Sequence, residues 1–369
     1  MNILHLRASN FYGGPERQLH FHAREALGSE HQVTIASFAE EGKEPEFITT
    51  IAEDGLRTHF FDVRSAYDAR AVAEIHRYLR ENRVDVLCTH DHRSTVLGWL
   101  TARGNPTRWV AFSRGFTLTN AKVRLYQTIE KILVRRAAHI VAVSGAQKEK
   151  LKRLLIKDEQ ITVARNAIDV DALATVARVD LRARYGFEPG SIIFIAAGRF
   201  SIEKGQEILI RAGARVLQRH PQVRFVLFGQ GFELEKMRQL TRRLGVENEI
   251  LCPGFERNML GCLKGADVLI NPSLMEGLPN IVLEGLGFEV PIIATAVGGV
   301  PEIVEDGRTG RLIPAGSEEA LAAAILETAE NMDRSRTMAA AGLRFVRSEC
   351  TFGRQFEVLA SVYERLGFG

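Results

Sequence analysis

Short runs rich in Ile, Val and Phe recur along this chain, each separated from the next by helix-length sequence. In the first half they are NILHL, HQVTIASF, VDVLCTH, RWVAFS, HIVAVS and ITVA. After a polar, Arg-rich stretch near residues 172–190 the runs restart as SIIFIAAG, VRFVLFG, EILCPG, ADVLINPS, PIIATA and GRLIP. A strand that is apolar on both faces must be covered on both, and long connections between strands supply helices to cover it. The alternation therefore predicts an α/β protein with two parallel sheets, each wrapped by helices. A chain of 369 residues also exceeds one ordinary core and suits two domains. We set the first at residues 1–170 and the second at 188–350, with the linker near 168–188. The last segment, TFGRQFEVLASVYERLG, reads as an amphipathic helix.

Charge narrows the partners. The net charge is only +3 and the sequence pI about 8.7, so no whole-molecule field demands nucleic acid. Locally, ten Lys or Arg lie between Lys122 and Lys157 against Glu130 and Glu149. That stretch fits either solvated helix faces or a patch that touches an anionic membrane surface or a phosphorylated acceptor. Cys88, Cys252, Cys262 and Cys350 are far apart with no C-x-x-C pair, so neither a zinc site nor a disulfide framework is expected. No apolar run is long enough to cross a bilayer, and MNILHLRASN has no basic leader. The expectation is a cytoplasmic protein in a reducing compartment, at most peripheral on the inner face of the cytoplasmic membrane.

The chemistry concentrates in NPSLMEGLPNIVLE, residues 271–284, where Glu276 and Glu284 flank a Gly-Leu-Pro-Asn turn. The fixed φ and missing N–H of Pro279 suit a first helical position, which puts Glu276 on the preceding loop and Glu284 in the second turn. Free amides near Asn280 and Ile281 then suit an anion at the helix N-terminus with one carboxylate on either side. A phosphate between two hydroxylated rings has that form, as in a nucleotide sugar. Upstream, in AAGRFSIEKG, Arg199 and Lys204 follow a strand, and Gly198 and Gly205 allow close backbone approach. Fixed cations at a strand end suit an anionic ligand. Gly13 and Gly14 lie between the first strand and a helix, where they serve a phosphate, an acceptor or a plain turn. His90, Asp91 and His92 point alternately to opposite faces if extended, so the three would not chelate together.

The E-x7-E segment after N-P-S, with AAGRFSIEKG (196–205), GFERNMLGCLKGADVLINPS (254–273) and PIIATAVGGVPEIVEDGRTGRLIP (291–314) in that order, resembles the donor site of retaining glycosyltransferases of family 4. The likeness covers nearly the whole chain. It implies the GT-B fold: two Rossmann-like β/α/β domains facing a central cleft, acceptor on the first and donor on the second. The C-terminal helix, about 352–369, would cross back onto the first. It further implies metal-independent, retaining transfer of a hexose or N-acetylhexosamine from a UDP- or GDP-linked donor to a hydroxyl of a glycan or lipid-linked acceptor. The setting would be cell-surface polysaccharide or glycolipid synthesis, with no cofactor beyond the donor.

By resemblance, Arg199 and Lys204 clamp the diphosphate, Glu276 meets the donor sugar and Glu284 the ribose. Gly277, Leu278, Pro279 and Asn280 complete that loop. Gly13, Gly14 and Gly198 approach the diphosphate, Phe255 and Glu256 lie at the nucleobase, and Gly298, Gly299, Pro301 and Glu302 wall the donor. RNAIDVDAL marks the end of the first lobe, which argues against a metal at Asp169 and Asp171. His90 is expected on the acceptor side. One departure stands out, because many members carry a histidine after the fifth strand of the first lobe, where FSRGFT places Arg114. A permanent cation replaces an imidazole, suited to an anionic acceptor or the leaving diphosphate. A nucleotide-sugar 2-epimerase of the same fold and a non-catalytic binding or scaffold protein are the competing readings. The E-x7-E segment opposes the first, and the intact Arg199, Lys204, Glu276 and Glu284 oppose the second.

Overall fold

The computed structural model describes residues 1–39, 42–63, 69–115 and 121–367. The first sheet holds seven strands: β1 Asn2–Leu6, β2 Gln32–Phe38, β3 Thr58–Phe61, β4 Val86–Thr89, β5 Arg108–Ser113, β6 His139–Ala142 and β7 Ile161–Val163. Their spatial order is β3-β2-β1-β4-β5-β6-β7 and every pairing is parallel. The second sheet holds six: β8 Ile192–Ala197, β9 Val223–Phe228, β10 Ile250–Gly254, β11 Val268–Asn271, β12 Ile292–Thr295 and β13 Arg311–Ile313. It runs β10-β9-β8-β11-β12-β13, again parallel throughout. In each sheet the chain starts near the middle, builds outward on one side, then returns to build the other. The points of reversal are β1/β4 and β8/β11, the crevices where such sheets take ligands.

Eleven of the apolar runs and ITVA become strands, and β3 is the one strand the pattern did not reveal. Its residues are Thr-His-Phe-Phe, and only Phe61 is buried, because β3 lies at the sheet's edge. The polar stretch read as linker is structured. Asp169 caps a helix over Val170–Thr175 and Asp180 caps another over Leu181–Tyr185. The Val179 amide donates to the Gly261 carbonyl at 3.0 Å, and the Lys264 ammonium donates to the Ala174 and Val176 carbonyls. These residues belong to the second compact unit, Ile168–Thr351; the first takes the chain up to Ala167 together with the helix from Phe352 onward. Asp169 spends its carboxylate on the Ala172 amide, which accounts for the D-x-D as a helix cap.

Alternation along β1 divides the first unit's core. Leu4 and Leu6 pack with Phe38, Phe61, Leu79 and Leu87 on one face of the sheet. On the other, Ile3 packs with Leu19, Ile35, Val86, Val110 and Tyr363, the last from the C-terminal helix Phe352–Gly367. In the second unit Phe194, Phe225, Leu227 and Ile270 pack with Leu209 and Ile325. Tyr363 is fully buried and one of the largest side chains in the first unit's core. Tyr363→Ala should lower unfolding free energy by about 3–5 kcal/mol, as for other large core aromatics, read as a lower denaturant midpoint at unchanged slope.

Candidate active site

At the second reversal point β8 ends at Ala197 and β11, its neighbour, at Asn271. The loops leaving these strands are laced together. The Leu274 amide donates to the Glu203 carbonyl and the Gln206 side chain to the Arg199 carbonyl, each at 2.8 Å. Gly205 has φ +67°, and a Cβ there would lie 2.1 Å from the Pro272 carbonyl oxygen, so only glycine permits this approach. Gly298, at φ +54°, is held as tightly, with a Cβ 2.0 Å from the Glu276 carbonyl oxygen. The lacing brings Lys204 Nζ to 2.7 Å from Glu276 Oε1, in a carboxylate that is only 9% exposed. Ser273 Oγ lies 2.7 Å from the same oxygen and 2.9 Å from Asn271 Oδ1, and its single proton serves one of them at a time.

Pro279 is the cap residue of the helix Asn280–Gly287 rather than its first helical residue, a shift of one position that leaves Glu284 in the second turn. Glu284 is 7% exposed. The first intrahelical donor is Val282, so the Asn280 and Ile281 amides precede the helix ladder. Gly285 and Gly287 make room for protein: added Cβ atoms would meet Leu269, and Ile168 with Leu173, at 2.7 Å. Gly277 and Leu278 are buried under the loop, Gly198 lies against the Lys204 stem, and Arg199 and Phe255 are exposed. Glu256 is taken up by its own loop, accepting from the Asn258 amide at 2.8 Å and pairing with Arg184. Among the described residues, Glu203 Oε2, Asn271 Nδ2 and Asn280 Oδ1 are buried without a partner. Orphaned polar atoms are costly, and three around one set of loops suit a polar ligand that satisfies them.

At the first reversal point β1 and β4 end at Leu6 and Thr89. Arg7 Nε donates to Glu16 Oε1 at 2.5 Å, and Glu16 Oε2 accepts from the Gly13 amide at 3.1 Å. Burial works to raise the Glu16 carboxyl, but Arg7 and the hydrogen bonds outweigh it and hold it below its ordinary range. Gly13 thus closes the turn into the helix Gly14–Glu25, and a Cβ on it would meet the Phe11 ring at 2.9 Å. The His-Asp-His triplet divides three ways. Asp91 caps the helix His92–Thr101 and accepts from the Ala8 amide, while His92 stacks on Tyr126.

His90, expected on the acceptor side, is 3% exposed and both its ring nitrogens are engaged within the unit. Arg114 Nη2 lies 3.0 Å from His90 Nδ1, His90 Nε2 is 2.9 Å from His5 Nδ1, and Tyr363 Oη is 3.2 Å from both His5 Nε2 and His22 Nε2. A guanidinium can only donate, so His90 Nδ1 accepts, its proton sits on Nε2, and the same logic passes along the chain. Tyr363 then donates to His22, leaving the His22 proton on Nδ1, the atom that has no partner among the described residues. Burial drives His5 and His90 well below the ordinary histidine value and His22 down to about 3, with Arg114 adding to the effect on each. Sequence reading missed His5, His22 and Tyr363; a histidine at an inward position of the apolar run NILHL was the available signal.

The basic stretch is less bare than its composition implied. Asp158 and Glu159 follow it directly, and Lys148, Lys152 and Lys157 pair with them. The side chains of Lys122 and Arg124 lie outside the described residues. Among the described residues no helix is long and apolar enough to cross a membrane.

The family description "Glycosyltransferase Family 4" matches residues 12–172 and "Glycosyl transferases group 1" matches residues 178–344. The chain belongs to glycosyltransferase family 4. Its similar proteins include an uncharacterized glycosyltransferase of Methanocaldococcus jannaschii, 26% identical over 60% of this chain and 58% of that protein. A D-inositol 3-phosphate glycosyltransferase of Streptomyces coelicolor is 27% identical over 73% of this chain and 66% of its own length. The chain thus spans about 58–66% of these two relatives. The crystal structure of Anabaena HepE in complex with UDP and glucose superposes with a TM-score of 0.85 at 21% identity, covering 99% of this chain and 100% of that one. The fold is GT-B, and both sheets of this family 4 chain carry their loops at a Rossmann-type reversal point.

The buried histidines set a pH dependence. Unfolded, each titrates near 6.5; folded, they stay neutral to far lower pH, so the unfolded chain binds more protons and stability falls as pH drops below about 6.5. Glu130 acts oppositely: burial and Asp91 push its carboxyl up to about 7, which favours the fold as pH falls from 7 toward 4.5. Each group contributes at most about 1.4 kcal/mol per pH unit, and three histidines outweigh one carboxyl. The thermal midpoint should therefore decline steadily from pH 6.5 to 4.5, and Glu130→Gln should steepen the decline.

Proposed function

We propose that this family 4 chain transfers a hexose or N-acetylhexosamine from a nucleoside diphosphate sugar to a hydroxyl of a glycan or lipid-linked acceptor, with retention and without a metal. The observation that carries the reading is the Lys204–Glu276 pair, held by laced loops beside a helix N-terminus with Glu284 buried in its second turn. In that arrangement Arg199 and Lys204 bind the diphosphate, Glu276 the sugar hydroxyls and Glu284 the ribose. Charge-assisted hydrogen bonds of this kind fix orientation as well as affinity. The presence of UDP and glucose in the Anabaena neighbour favours a UDP-linked donor.

Lys204 is paired with Glu276. A donor diphosphate beside Lys204 gains negative charge as its bond to the sugar breaks, so the cation stabilises the transition state more than the ground state. The bond from the anomeric carbon to the phosphate oxygen breaks, the acceptor oxygen bonds to the same face of that carbon, and the acceptor proton passes to the leaving phosphate oxygen. Arg199 and Lys204 stabilise the departing diphosphate.

A thermal-shift panel of UDP-, GDP- and ADP-sugars should show stabilisation by one base, about 2.7 kcal/mol at a hundredfold excess over Kd, and none with Glu284→Ala. Lys204→Met should lower kcat by roughly 10²–10³-fold. NMR of the product should show the donor's anomeric configuration kept; an inverted product would sink the front-face mechanism.

A further inference from the structure

Arg114 is a half-buried cation that pairs with no carboxylate among the described residues. Its guanidinium follows β5 directly and lies near the Phe112 ring, 5.9 Å from the centroid. Its partners are neutral: His90 Nδ1 at 3.0 Å and Asn166 Oδ1 at 3.5 Å. Among the described residues its Nε is buried with no partner, and no carboxylate pairs with it. The carboxylates that reach it electrostatically are Glu16 and Asp91, and both are committed elsewhere. Glu16 serves Arg7 and the Gly13 amide; Asp91 serves the amides of Ala8, Arg93 and Ser94. Arg7 adds a second positive charge, with one Nη donating to the His90 carbonyl. A half-buried cation is costly to leave unpaired, and with both nearby carboxylates committed elsewhere this one stays open to an anion from outside the unit.

We propose that Arg114 is the cationic half of an oxyanion subsite in the first unit, completed by a phosphate or carboxylate group of the substrate, with His90 as the residue that positions it. The oxyanion is a charged group on the acceptor; naming it as substrate rests on the transfer reading, while the subsite itself does not. The histidine chain explains the aim. Because His90 is neutral and its Nδ1 is free of a proton, it can only accept at that atom, and it holds one guanidinium nitrogen in place. Protonating His90 would set a second cation against Arg114, and the enclosed chain through His5, Tyr363 and His22 prevents that.

The test uses the full chain labelled with [15N]arginine. The Arg114 Nε–H signal, identified by its absence in Arg114→Lys, should shift on titration with inorganic phosphate and not with chloride at equal ionic strength. His90→Leu should weaken phosphate binding at least about tenfold, and His90→Gln, which restores an acceptor, should recover most of it. No phosphate-dependent shift in the wild type overturns the subsite. Equal phosphate affinity in His90→Leu overturns the positioning role. The source follows from UDP: if saturating UDP leaves the signal in place and phosphate still titrates it, the oxyanion belongs to the acceptor. Movement of the signal by UDP that Glu284→Ala abolishes overturns the acceptor assignment. Failure of the transfer reading would appear as no UDP binding and no product, with the phosphate titration intact.

Discussion

A parallel sheet delivers every strand's carboxyl end to one edge, and that constraint governs both units of this chain. Side chains that must act together can then come from loops far apart in sequence, provided their strands are neighbours. Lys204 and Glu276 meet because β8 and β11 pair, and Arg7 and His90 meet because β1 and β4 pair. Where the order of building reverses, no crossover helix crowds the strand ends, which leaves room for loops and ligand.

The two reversal points handle charge in opposite ways. In the second unit the cation Lys204 is matched by Glu276 and the unsatisfied atoms are neutral amides and one carboxylate oxygen. In the first, Glu16 and Asp91 are saturated and the cation Arg114 stands among neutral histidines. A matched pair is inexpensive to hold and offers a ligand charge already balanced. An unmatched cation keeps the site costly until an anion arrives.

Much of this was legible in the sequence, for physical reasons. Strands buried on both faces are apolar throughout, so the alternation marked them; β3 escaped because an edge strand need bury only Phe61. Glu276, Glu284, Lys204 and Arg199 stand out in the sequence as charges at local spacing beside glycines and a helix start, and the structure brings Lys204 and Glu276 together. What stayed hidden was non-local pairing. Nothing near Lys204 announces that its empty-state partner is Glu276, and nothing near His90 announces burial, since its enclosure is made by His5 and by Tyr363 from the far end of the chain. The sequence argued against a metal at Asp91 and Asp169, but the work they do in its place, capping helices through backbone amides, was not read from it.

The return of the C-terminal helix has a consequence for how the protein is made. The second unit is complete in sequence by Thr351, whereas the first, begun earlier on the ribosome, lacks the side chain that links its histidines until Tyr363 emerges. Synthesis order and completion order are thus inverted. The unit born first finishes last, and its half-built apolar face is the surface a chaperone would meet during translation.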